Sequence, residues 1–192
     1  MIRDRLTLPV REAGKKMIPN TVHALKFQLF SGAPATVFAI LDGASVPDLP
    51  AKLASLCPEH ICLFRGDLEP DMAEVAPYLA ILEKDAPFTD WVLSNGWGKH
   101  WCIFGSTPAR MPALRKHFRR FLTVYDEAGN SRYFRYYDPR VLRVCLPECS
   151  PVNLQIIFGP VSWYLMEDVE PRNGRKFLFI NNALREDKMS VG

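Results

Sequence analysis

A chain of 192 residues with 48% apolar and 23% charged residues has the balance of a globular protein, long enough to bury a core without disulfides or metals. Its longest apolar runs, "ATVFAIL" (35–41) and "LQIIFGPVSWYLM" (154–166), are shorter than the roughly 18–20 residues of a membrane span. The net charge of +3 hides a segregation: residues 42–90 hold ten acids against three bases, and residues 110–143 nine bases against three acids.

The N-terminal "MIRDRLTLPVREAGKKM" is basic and lacks the hydrophobic stretch of a secretory signal. Five cysteines (57, 62, 102, 145 and 149), an odd number in apolar surroundings, read as reduced, buried thiols. A cytoplasmic protein is expected.

Residues 1–35 read as an N-terminal extension, with Val22, Leu25, Phe27, Leu29 and Phe30 marking a helix or strand laid on the core. "PATVFAILDGA" (34–44) predicts a buried strand entering a turn at Asp42 and Gly43. "SVPDLPAKLASLCP" (45–58) predicts a short helix closed by Pro58, and "HICLFRGDL" (60–68) a second strand. That order favours a parallel pair with a right-handed crossover. "DMAEVAPYLAIL" (71–82) reads as a helical turn broken before Pro77 and then a strand. "APFTDWVLSNG" (86–96) predicts a helix with Phe88, Trp91 and Val92 inward and Gly96 as a left-handed stop.

After "GWG" (96–98), "KHWCIFG" (99–105) predicts a strand. "PARMPALRKHFRRFL" (108–122) predicts a helix with Leu114, Phe118, Phe121 and Leu122 on one stripe. "FLTVYDEAGNSRYFRYYDP" (121–139) reads as a hairpin turning at "EAGN", with Tyr133, Arg135 and Tyr137 on one face and Phe134 and Tyr136 on the other. Asp138 is placed to cap a helix that begins at Pro139 and turns Val141, Leu142 and Cys145 inward. "SPVNLQIIFGP" (150–160) predicts another capped helix, followed by strands in "SWYLMEDVE" (162–170) and "KFLFINN" (176–182). Residues 36–170 read as the core domain and 171–192 as a hairpin strand and tail. The fold class is mixed α/β (α+β): a mixed sheet with a parallel start and later antiparallel hairpins, flanked by helices.

The chain carries no GxxxxGK[ST], GxGxxG, HExxH or GxSxG pattern. "CPEHIC" brings Cys57, His60 and Cys62 together, but a second zinc pair would need Cys145 and Cys149 at loose spacing. His100 and Cys102 share a strand face yet lack an orienting third group. No metal and no cofactor are expected. Aromatics interleave with the bases of 110–143, as in single-strand binders; Phe118 and Phe121 fit a core stripe instead, so no nucleic acid partner is expected. A protein-binding module with aromatic and arginine anchors is the reading that remains. Its alternative is a metal- or small-molecule-binding enzyme or regulatory domain with a cleft near Asp42.

The segments "FAILDGA", "LFRGDLEPDMAEVAPYLAIL", "GWGKHWCIF", "LRKHFRRFLTV", "FRYYDPRVL" and "IFGPVSWYL" occur in this order. Together they resemble a bacterial domain family first grouped as of unknown function and since recognised as effector adaptors, or chaperones, of the type VI secretion system. The resemblance implies a cytoplasmic, non-enzymatic adaptor without cofactors, which binds a toxic effector and helps load it onto the VgrG spike protein. Within these segments Arg120, Tyr137, Asp138, Arg140, Trp97 and Trp163 are the candidate protein-contact residues. Asp42, Gly43, Gly96, Gly98, Pro139, Phe158, Gly159 and Pro160 are the candidate fold-holding ones. Arginine among aromatics suits both carboxylate pairing and stacking.

Overall fold

The computed structural model describes residues 19–32, 35–57, 59–125 and 128–192. The expectations for residues 1–18, for Pro58 and for Glu127 in the hairpin turn lie outside them.

The first half of the chain carries α1 (Pro19–Phe30), β1 (Thr36–Asp42), a 3₁₀ turn (Gly43–Ser45), α2 (Leu49–Leu56), β2 (His60–Cys62), α3 (Pro70–Val75), β3 (Pro77–Leu82) and α4 (Pro87–Gly96). There follow β4 (Cys102–Thr107), α5 (Met111–Arg119), β5 (Thr123–Tyr125), β6 (Ser131–Tyr133), α6 (Pro139–Glu148), α7 (Pro151–Phe158), β7 (Trp163–Glu167), β8 (Asn173–Ile180) and β9 (Ala183–Ser190). Seven strands form one sheet in the order β2-β3-β1-β4-β7-β8-β9, and β5 and β6 form a separate ribbon.

Both faces of the sheet are covered. Alternation along β1 sends Val37, Ala39 and Leu41 into one apolar cluster with Leu25 and Leu29 of α1, Leu49 and Leu53 of α2, and Phe88 and Val92 of α4. Phe38 and Ile40 enter the opposite cluster with Leu114 and Phe118 of α5, Leu142 and Leu146 of α6, and Leu154 and Phe158 of α7. The fold is therefore mixed α+β, with the sheet between two helical layers.

The parallel start does not occur. β3 lies between β1 and β2 and pairs antiparallel with each, in registers such as Ala39↔Ala80 and Ile61↔Leu79. A strand covered on both faces reads as a continuous apolar run, the mark usually left by parallel sheets. Here helices cover both faces of an antiparallel ladder and leave the same mark.

Smaller differences have local causes. The strand expected over 60–68 is confined to His60–Cys62. Gly96 ends α4 as a buried helical residue, and Gly98 carries the positive φ of +79° instead. A side chain at Gly96 would meet Trp101, so close approach is what requires glycine there. His100 adopts φ +61° ahead of β4 and so does not share a strand face with Cys102. β6 stops at Tyr133, and the turn in which Asp138 N–H donates to Arg135 O buries both Tyr136 and Tyr137. In α6, Leu142 and Leu146 are buried while Val141 and Cys145 are half-buried. β9, within the expected tail, pairs along β8 through a turn at Asn181 and Asn182, both at positive φ.

Gly105 lies opposite Phe38 in the β1–β4 ladder, and a Cβ there would come within 2.4 Å of the buried Phe38 ring. Gly105→Ala is expected to cost about 2 kcal/mol by overpacking, read as a lower urea midpoint with an unchanged slope.

Candidate functional site

Two features stand out: a charged network at one end of the sheet, and the β5–β6 ribbon with a groove on either side.

The network begins where β1 ends. Asp42 is 1% exposed and its carboxylate accepts from Ala44 N–H (3.3 Å) and Ser45 Oγ (2.7 Å), which fixes the 3₁₀ turn. Its Oδ2 also pairs with Arg135 Nη2, from the turn before α6. Asp138 caps α6 by accepting from Arg140 N–H (2.9 Å) and holds the Arg140 guanidinium through Nε (3.0 Å) and Nη2 (2.7 Å). Burial alone would raise the Asp138 pKa, but the hydrogen bonds and charge of Arg140, with the charge of Arg135, outweigh it and hold the carboxyl below its ordinary value.

A second acid lies along the same end. Glu167, the last residue of β7 and 3% exposed, accepts from the backbone N–H groups of Gly98 and His100 and faces His100 Nδ1. Burial raises its pKa against those stabilising contacts. Arg143 of α6 donates to the Glu167 carbonyl (3.3 Å). Charge-assisted contacts thus tie the "FRYYDPR" motif to the end of β1 and the "GWG" turn to the end of β7, and Arg143 of α6 connects the two sets.

The ribbon differs in character. All six of its strand residues are exposed, Tyr125 by 73% and Tyr133 by 78%. Thr123, Tyr125 and Tyr133 face a groove of about 590 Å³ shared with Phe64, Arg65, Arg119 and Arg120. Val124 faces a second, mainly apolar groove of about 330 Å³ beside Phe121, Phe134, Ile156, Cys145 and Cys149. The two thiol sulfurs lie 3.7 Å apart, and burial together with Cys145 pushes Cys149 up to about 11.

The six candidate contact residues are not brought together. Trp97 donates from Nε1 to Pro171 O (2.6 Å) and is 4% exposed; Tyr137 and Asp138 are also buried. Arg140 lies half-exposed over Asp138. Arg120 and Trp163 reach the surface on opposite faces of the sheet: Arg120 at the end of α5, and Trp163 beneath Lys176 Nζ, 4.3 Å from its ring.

Among the fold-holding candidates, Pro139 is buried at the first position of α6, and Phe158 packs on Tyr164 and Phe179. Gly159 has φ +47° beside the His117 ring, and Pro160 O accepts from Thr107 Oγ1 (2.7 Å). Gly43 lies where a Cβ would strike Glu74 O and Ala76 O. The pairings of Arg135 with Asp42 and of His100 with Glu167 were not readable from the sequence because the partners are 93 and 67 residues apart.

Residues 37–155 match the family described as "Domain of unknown function (DUF4123)". The chain belongs to the DUF4123 family. Comparison with curated proteins and with solved structures gives no match. The DUF4123 span contains Asp42, Arg135, Asp138, Arg140 and the ribbon, while Glu167 and Trp163 lie beyond it. Among the described residues of this DUF4123 protein, no helix is long and apolar enough to cross a membrane.

In the alternative reading Asp42 is a catalytic acid or metal ligand. Its oxygens are engaged by Ala44, Ser45 and Arg135, so a ligand there would have to displace an internal ion pair.

Proposed function

We propose that this chain is a non-catalytic adaptor of the type VI secretion system. It holds an effector in the cytoplasm of the producing cell and assists its loading onto the VgrG spike. The family assignment is consistent with that role, and the observation that carries it is the ribbon: two tyrosines more than 70% exposed, flanked by grooves on both sides. Exposed aromatics next to arginine are the residue types that dominate protein interfaces, and tyrosine supplies contact area at small entropic cost.

Co-expression with the products of neighbouring effector and spike genes, followed by affinity capture and size exclusion, tests the reading. Tyr125→Ser with Tyr133→Ser is expected to weaken the complex by roughly thirtyfold, the equivalent of about 2 kcal/mol, with the thermal midpoint unchanged. Absence of any complex with the parent chain would refute the adaptor role.

A further inference from the structure

The groove on the tyrosine side of the ribbon has a definite electrostatic character. Among the described residues its lining contains Arg65, Arg119 and Arg120 and no carboxylate. Among the described residues no acid lies within ion-pair distance of these three or of Arg115, one helical turn before Arg119. The Arg115 Nε is buried without a hydrogen-bond partner among the described residues.

The three lining arginines have different duties. Arg119 donates to the carbonyls of Cys62 (3.1 Å), Leu63 (3.0 Å) and Phe64 (2.6 Å), which pins the 62–64 segment to α5 as one wall. Arg65 and Arg120 are exposed. Among the described residues the Arg120 guanidinium touches neutral groups, His117 Nδ1 at 3.3 Å and the Phe121 ring, and pairs with no acid there. Apolar surface lies beside these charges: Tyr125, Tyr133 and, on α3, Met72 at 43% exposure.

We propose that this groove receives an acidic, apolar-bearing segment of a partner protein, with Arg65 and Arg120 meeting its carboxylates and Tyr125 and Tyr133 its apolar side chains. The proposal rests on the adaptor reading and adds the chemistry of what is held. Cations without acids attract an anionic segment, and the bidentate guanidinium fork suits a carboxylate. A protein segment is favoured over single-stranded nucleic acid by the rest of the lining. Leu68, Met72 and Leu122 give apolar walls that suit side chains. Phe64 and Tyr133 pack on one another at 6.2 Å and 43° and so do not form a row of free faces for successive bases.

The probe is a fluorescently labelled synthetic peptide of alternating glutamate and leucine, titrated into the full chain by anisotropy. A lysine–leucine peptide and a single-stranded oligothymidylate are run in parallel. The expected result is saturable binding of the acidic peptide that weakens as salt is raised and falls about tenfold or more in Arg65→Glu/Arg120→Glu, whose unfolding stays cooperative, and also in Arg65→Glu alone, which leaves the Arg120–His117 contact in place. No binding, or equal binding by the double variant, overturns the proposal. Tighter binding of the oligothymidylate assigns the groove to nucleic acid and overturns it as well. Sedimentation that shows self-association, lost in the double variant, assigns it to a second copy with the same consequence. An effector–spike complex formed equally by the parent and the double variant leaves the adaptor role standing and refutes the groove assignment. Peptide binding without any such complex does the reverse.

Discussion

Arg135→Ala is expected to lower the unfolding free energy by about 3 kcal/mol, the lower end of the cost of leaving a buried charge without its partner. The group stranded is Asp42, 1% exposed. It would keep its hydrogen bonds from Ala44 N–H and Ser45 Oγ, which places the figure at the low end. For a chain of this size the thermal midpoint should fall by roughly 6–12 °C. Arg185→Ala is the control. Its guanidinium and the carboxylate of its partner Asp187 are both exposed, so a loss of about 1 kcal/mol or less is expected. Equal midpoints for the two variants would refute the network as a brace. An Arg135→Ala protein that stays fully stable and loses its partner instead would make this arginine a contact residue.

The second large effect is a dependence on pH centred on His117. The ring is 4% exposed, donates from Nε2 to Ile157 O (2.9 Å) and accepts at Nδ1 from Arg120 (3.3 Å). Burial, with the Arg120 charge in support and the Ile157 hydrogen bond opposed, lowers its pKa from 6.5 to about 4. Between those values the unfolded chain binds a proton that the folded ring does not. Stability therefore falls as pH drops from 6.5 to about 4, by about 3 kcal/mol, and this contribution is level below that.

Other groups overlap this window. Glu167, raised by burial, has the opposite slope above its ordinary value of 4.5. Asp138 and Asp168, held below 3.8, lose their contribution at lower pH still. The readout is therefore the difference between the parent and His117→Gln, a side chain that does not titrate here and whose amide N–H stands in for the Nε2–H that donates to Ile157 O. Urea unfolding from pH 7 to pH 4 should show a steeper loss in the parent. Identical slopes would refute a neutral, buried His117.

What local rules can reach was legible. Asp138 ahead of Pro139 and Ser150 ahead of Pro151 were readable as caps because an N-cap depends on residues two or three positions away. The apolar stripe of α5, the strand at 36–42 and the turn at Asp42 followed from periodicity and turn chemistry. The motif series pointed to a bacterial family first grouped as of unknown function, and the match over residues 37–155 places the chain in such a family, DUF4123.

The sequence by itself thus determined most of the elements and the caps of α6 and α7. Tertiary structure alone decided which strands pair, because an apolar run records burial on both faces and not the direction of its neighbour. It alone decided that Trp97, Tyr137 and Asp138 are buried while Tyr125 and Tyr133 lie open. Alternation places a side chain on one side of a strand, but what covers that side comes from distant segments. Asp42 and Arg135 are 93 residues apart in the chain, and only the folded sheet end brings their charges together.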